Sequence, residues 1–229
     1  MSGDFASLNV RKNELIRKAK EGTVFVDTMK SEVLTSITTG SDAQLALPPT
    51  LVEGALGWFT EDGVSFSGDV QESNINSWGA VEPTRREITT DTTTISVTAQ
   101  ETSLITIGLY TGNDLDALKP DPETGELVVT KPPRPRLRHF RVFALAVDEY
   151  EGQEVYISRY LPRASVARAP EQTYTGGDTA LTWGLTFTSS VDSDAGYSER
   201  YFFAGPGWKA MLEEAGFGSG GADSGDGGA

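Results

Sequence analysis

The chain has 229 residues, 38% of them hydrophobic, enough for one large β domain or two small ones. Its 33 acids against 19 bases give a net charge of −14, which excludes nucleic-acid binding by charge neutralisation and docking on an anionic membrane. The absence of cysteine excludes a disulfide framework and thiol chemistry, and the lone His139 removes most metal-site and histidine-base designs.

No apolar run reaches the roughly 18 residues that a membrane span needs. The start, M-S-G-D-F, lacks a basic segment followed by an apolar one, so no signal peptide is expected and manufacture in a cytoplasm is. Residues 1–22 read as an N-terminal arm. Between Ser7 and Glu21, Leu8, Val10, Leu15, Ile16 and Ala19 are interleaved with five bases. The spacing allows a helix capped by Gly22, an extended arm docked on a neighbouring chain, or a solvated basic terminus.

A β-rich domain is expected over residues 23–215. Thr23–Val26 is a short strand, and Lys30–Pro49 a long loop. Leu51–Trp58 leads into T-E-D-G-V-S-F-S-G-D-V, where Asp62-Gly63 is a turn signal. Beyond it, Val64, Phe66 and Val70 share one face; Ser65, Ser67, Asp69 and Gln71 share the other. The stretch from Trp78 to Tyr110 is the centre of the pattern. Ile88–Gln100 is dominated by β-branched residues, which suit a pleated sheet. From Thr94 the alternation is clean: Ile95, Val97 and Ala99 on one side, Thr94, Ser96, Thr98 and Gln100 on the other. The following Q-E-T-S-L-I-T-I-G-L-Y-T-G reads both ways, with strand composition but also Thr102 or Ser103 as N-cap and Gly112 as a closing residue.

Residues 118–138 carry five prolines, at 120, 122, 132, 133 and 135, and read as a projecting loop, with Val128 and Val129 able to form a brief hairpin. Arg134, Arg136, Arg138 and Arg141 make its end the most basic patch, either a solvated edge guard or a contact for an acidic surface. Phe140–Val147 is apolar on both faces apart from Arg141, so cover on both sides is expected. Val155–Leu161 is its partner after the turn D-E-Y-E-G-Q-E. In Thr179–Ser190, Leu181, Trp183, Leu185 and Phe187 face in, and Thr182, Gly184, Thr186 and Thr188 face out. Tyr197–Phe203 is a further strand. Trp208, Met211, Leu212 and Ala215 give a short amphipathic helix ended by Gly216, and residues 216–229 a flexible, Gly-rich acidic tail. The fold class is mainly β: a two-sheet sandwich or partly closed barrel with one flanking short helix and a short C-terminal helix.

Catalytic motifs are missing. Gly216, Gly218 and Gly221 match G-x-G-x-x-G by chance, without flanking strand and helix. Asp178, Asp192 and Asp194 lack the spacing of a calcium loop. His139 reads as a polar residue at a strand start. Trp58 and Trp78 could stack on sugar, whereas Trp183 and Trp208 fall on packed faces. Three strands instead share a trait: outer faces of Ser, Thr, Asp and Gln without a base. An ordinary solvated face and a wall that meets a polyanion without holding it both fit.

The runs L-G-W-F-T-E-D-G-V-S-F-S, N-S-W-G-A-V-E-P-T-R-R-E-I and Q-E-T-S-L-I-T-I-G-L-Y, with A-L-T-W-G-L-T-F and Tyr201-Phe202-Phe203, resemble the major tail tube protein of long-tailed bacteriophages, of the type common in phages of actinobacteria. The resemblance spans most of Gly54–Leu212. It implies a two-sheet β fold whose flanking helix occupies Glu101–Tyr110. It also implies six copies per ring, stacked rings conducting DNA in passage, and no enzyme activity, cofactor or metal. The expected partners are further copies of the chain, a tape-measure protein, and tail-tip and terminator proteins. The expected location is the virion. Tube proteins of contractile secretion machines share such a fold and are the nearest alternative; a carbohydrate-binding β-sandwich is the other. Under the tube reading, Ser65, Ser67, Asp69, Gln71, Thr94, Ser96, Thr98, Thr182, Thr186 and Thr188 are candidates to line the channel. Asp121, Glu123, Glu126, Lys131, Arg134 and Arg136 are candidates for ring stacking.

Overall fold

A computed structural model describes residues 9, 11–131, 133, 136–169 and 171–218. Among the described residues nine strands form: β1 (Glu21–Thr28), β2 (Thr38–Thr39), β3 (Gln44–Leu45), β4 (Phe59–Ile75), β5 (Arg85–Ala99), β6 (His139–Tyr150), β7 (Gln153–Arg168), β8 (Trp183–Ser189) and β9 (Arg200–Ala204). Three short helices accompany them: α1 (Pro49–Glu53), α2 (Leu104–Thr111) and α3 (Pro206–Met211). β2 and β3 make a small hairpin. The other strands pair in the order β1-β6-β7-β8-β5-β4, with β9 also on β7.

This sheet folds over on itself. Val24 and Val26 of β1 share one buried cluster with Ile95 and Val97 of β5, although three strands separate them in the pairing order. The first half of β7, with β1, β6 and β9, forms one layer. Its second half, with β8, β5 and β4, forms the other. The result is a two-layer β fold without a closed barrel. Val142, Leu161, Leu185 and Phe187 fill the space between the layers.

The corner is a bulge. Phe140 pairs Ala164 and Val142 pairs Leu161, so Pro162 and Arg163 stand opposite Arg141 alone. Pro162 cannot donate to the ladder. The buried Arg141 guanidinium supplies the bonds that the corner needs: Nη1 donates to the Pro162 carbonyl at 3.2 Å and Nε to the Ser31 carbonyl at 3.0 Å, with the buried Asp192 carboxylate at 4.0 Å. Arg141 is therefore not part of a surface basic patch. Arg138 makes a surface ion pair within its own chain, 2.9 Å from Asp114.

β6 is covered on both faces, as its composition requires. Phe143 and Leu145 belong to a second cluster with Phe25, Leu34, Ile37, Tyr156 and Tyr160, roofed by residues 30–55. Gly54 meets β1 so closely that a Cβ there would lie 2.0 Å from the Val26 carbonyl oxygen. Glu101–Tyr110 resolves to a helix, α2. The Ser103 hydroxyl accepts the Thr106 N–H at 3.2 Å, Gly112 closes it in the left-handed region, and Leu109 plugs the core.

Several expectations change. Asp62-Gly63 does not reverse the chain; β4 runs through it, and Gly63 (φ +69°) sits where the register jumps from Phe59↔Ala99 to Val64↔Val97. Residues 11–20 hold a single 3-10 turn, Asn13–Leu15, and no α-helix, while Gly22 lies inside β1. This segment lies against its own chain. Lys18 N–H donates to Asp148 Oδ2 at 3.1 Å, Arg17 pairs with the same carboxylate at 3.5 Å, and Lys20 N–H donates to the Val147 carbonyl. Residues 118–138 hold no strand at Val128–Val129. The C-terminal helix stops at Met211, and Phe217 packs on Trp208 at 5.7 Å between ring centroids, inside the span expected to be a flexible tail. Residues 219–229, Leu8, Val10 and Arg134 lie outside the described residues.

Candidate functional site

The longest feature of the fold is the hairpin of β4 and β5. β8 pairs β5 only from Thr94 to Ala99, and Thr93 is still tied to Ser189, so residues 69–92 project beyond the two layers as an arm. The strand from Gly68 to Ile75 alone is about 26 Å long. Its tip, residues 76–84, is held by the Thr84 N–H on the Ile75 carbonyl (2.9 Å) and by the Ser77 and Thr84 hydroxyls 2.8 Å apart. Trp78 and Val81 at this tip are fully exposed.

In an antiparallel pair, residues directly opposite share a face. The register brings the predicted polar residues of three strands onto one face. Ser65, Ser96 and Thr186 form one row, with the last two hydroxyls 3.3 Å apart. Ser67, Thr94 and Thr188 form the next, and Ser165 of β7 continues it. Thr98 lies opposite Gly184. Outward along the arm, Asp69 faces Thr92 and Gln71 faces Thr90. No Lys or Arg interrupts these rows. A cation appears on β7 at Arg163, two residues before Ser165, and near the arm's tip at Arg85, which pairs with Glu87. Thr182 is not brought in: it precedes β8, and its carbonyl accepts from Gln172 Nε2 at 2.9 Å.

Thr90, Thr92 and Ser165 are the members that sequence periodicity missed. A second register shift, between Gln71/Thr90 and Glu72/Ile88, leaves Thr89 unpaired and ends the alternation there, with Thr90 and Thr92 still in step with Thr94. The signal for Thr90 and Thr92 was the hydroxyl run itself, T-T-D-T-T-T, read outward in steps of two.

The stacking candidates are less uniform. One oxygen of Asp121 accepts from the Glu123 N–H (2.9 Å), the Thr124 N–H (2.8 Å) and the Thr124 hydroxyl (3.0 Å). These donors, Thr124 N–H first, hold its carboxyl below the usual range. That carboxylate shapes its own turn. Glu123, Glu126, Lys131 and Arg136 are exposed, and among the described residues their side chains make no hydrogen bond or ion pair.

Chemistry is sparse elsewhere. Among the described residues no group of three or more His, Asp or Glu could hold a metal, and no helix is long and apolar enough to cross a membrane. Burial first, and the charge of Arg163 second, push His139 below its ordinary pKa at the start of β6. Trp183 packs edge-on against Tyr110 (5.1 Å) and donates to the Thr102 hydroxyl, and Trp208 packs against Phe203 (5.4 Å). Of the four tryptophans, only Trp58 and Trp78 are broadly exposed, one at each end of β4. A 17-residue strand puts them about 55 Å apart, too far to form one sugar platform.

The fold thus presents a long arm and a hydroxyl face without a base in its central rows, and among the described residues no metal-holding cluster of His, Asp or Glu. The profile of the phage tail tube protein family matches residues 10–199, and the chain belongs to that family. A virion component is the corresponding location. A search of curated proteins returns no match.

Proposed function

We propose that the chain is the repeating subunit of a tube of stacked six-membered rings, assembled in the host cytoplasm, whose channel conducts DNA. The observation that carries this is the polar face of β4, β5 and β8. Contacts to phosphate set the non-specific affinity of a protein for DNA. A wall of short hydroxyls and amides offers hydration without anchoring charge, so DNA slides past it. The family is a structural one, and no catalytic role is assigned to any residue.

Among the described residues β4 is the outermost strand of its layer, and no strand of those residues pairs with its far edge from Val64 to Ile75. Such an edge invites another copy, and closure into a ring removes it. Loop 118–138 is assigned to ring stacking, through Glu123 and Glu126 against Lys131, Arg134 and Arg136 of the next ring. The channel would hold the tape-measure protein before DNA, and terminator and tail-tip proteins would close the ends.

Electron microscopy of the purified chain, nucleated by tail tips where needed, tests the reading. Long hollow tubes are expected. Isolated rings would favour a tube protein of a contractile secretion machine, and monomers at every concentration would refute self-assembly.

A further inference from the structure

We propose that the tip of the β4–β5 arm of one copy docks in an open apolar groove beside β4 of a second copy. This deepens the tube reading by naming a contact between subunits.

The groove arises because the layers are offset. Ala146, Ile157 and Phe203 lie opposite one another across β6, β7 and β9, and Arg159 and Tyr201 form the adjoining row. They continue the core-facing side of their layer, but the other layer stops short of them. Phe66 walls the opposite side, with the Arg159 guanidinium stacked 4.2 Å from its ring and 4.7 Å from that of Tyr201. The groove measures about 870 Å³, and Tyr201 and Phe203 are each left half exposed. Exposed aromatic pairs of this kind mark contact sites.

The occupant is the arm's tip for three reasons. Trp78 and Val81 are fully exposed among the described residues, and a buried Trp contributes some 150–250 Å² of contact. The tip is already shaped by its own hydrogen bonds, so little order is lost on docking. It cannot reach the groove of its own chain, since Phe66 at the groove and Ile75 at the tip are separated by about 30 Å of strand. Charge also permits it: the groove wall carries Glu21 and Glu61, and its two cations, Lys20 and Arg159, are paired with Glu149 and Glu199, while the tip carries Glu82 with Arg85 and Arg86, Glu87 pairing with Arg85. Knob and groove lie on different parts of the chain, so the contact is head-to-tail and propagates instead of closing on a pair.

The chain has no cysteine, which gives a clean test. Val81→Cys is combined with Ala146→Cys, and the assembled protein is oxidised or treated with a short bis-maleimide. A ladder of covalent oligomers is expected. One that stops at six places the contact within a ring, and one that runs further places it between rings. Val128→Cys with Ala146→Cys should give none. Trp78→Ala should raise the concentration needed for assembly more than about tenfold, as loss of a central Trp does at other interfaces, without lowering the melting temperature of the monomer. The ladder reports the contact and microscopy reports the tube, so the two can fail separately. Tubes without a ladder overturn the contact and leave the tube reading standing. A ladder without tubes supports the contact and removes the tube. No ladder, with the thiol introduced by Ala146→Cys nonetheless shielded from maleimide on assembly, assigns the groove to another segment and also overturns the proposal.

Discussion

Two side chains carry more of the fold than their neighbours do. Arg141 bridges the carbonyls of Ser31 and Pro162 at the corner where one layer turns into the other, with Asp192 buried beside it. Breaking a buried pair by removing one partner strands the other charge. Arg141→Ala is expected to cost about 3–5 kcal/mol in urea unfolding, and Asp192→Asn less, because an amide oxygen still accepts from the Asp194 and Ala195 N–H groups. Wild-type stability in Arg141→Ala would show that the corner does not need it. Asp148 fixes the N-terminal segment. Its burial raises the pKa, but the Lys18 and Glu149 N–H groups and the charges of Arg17 and Lys20 outweigh that and leave it lowered. A carboxyl depressed on folding contributes stability above its unfolded pKa of about 3.9 and loses it as pH falls through the folded value. The segment should therefore stay docked at neutral pH and release only in acid below the ordinary carboxylate range. Asp148→Asn should expose Arg17 and Lys18 to trypsin at neutral pH, and unchanged cleavage would contradict the clamp. In the sequence Arg141 stands out as the one charge in an apolar strand and is grouped with the basic patch of Arg134, Arg136 and Arg138. Its role needed the bulge, which is a relation between strands that no local pattern records.

At the scale of elements, alternation made the sheet faces legible and left the arm hidden. Ile95, Val97 and Ala99 are buried and Thr94, Ser96 and Thr98 lie on the outer face, because a strand with a half-buried surface must alternate. Pairing was another matter. Asp62-Gly63 has the chemistry of a tight turn, yet its strand continues for 12 more residues to Ile75 before reversing; the real reversal at 76–84 has turn residues of its own, Asn76, Ser77, Pro83 and Gly79 at φ +81°, so composition alone does not rank the two sites. The segment around α2 was balanced between strand and helix, and the Ser103 cap decides it locally. Projection was assigned to residues 118–138 on proline content. The β4–β5 arm projects as well, and its β-branched strands gave no hint that they outrun the sheet. Deleting Pro120–Lys131 separates the two elements. Single rings at best are expected if this loop stacks the rings; tubes of normal length would move that role elsewhere, with the arm as the candidate.

Across the whole molecule, charge and shape divide the work. The subunit carries −14, which makes it a poor surface for DNA in general, and the face that register assembles from β4, β5 and β8 adds no cation in its central rows. Ser67 is exposed on this face and Thr98 lies on the same side of β5, so both accept a longer side chain without disturbing the core. The most direct test of the channel is Ser67→Arg together with Thr98→Arg, two cations per copy and twelve in a ring of six. Tubes should still assemble, because the new groups stand in water, while DNA ejection slows at low salt and recovers as salt screens the added charges. Ejection at the unmodified rate at low and high salt alike would show that this face does not line the path of the DNA.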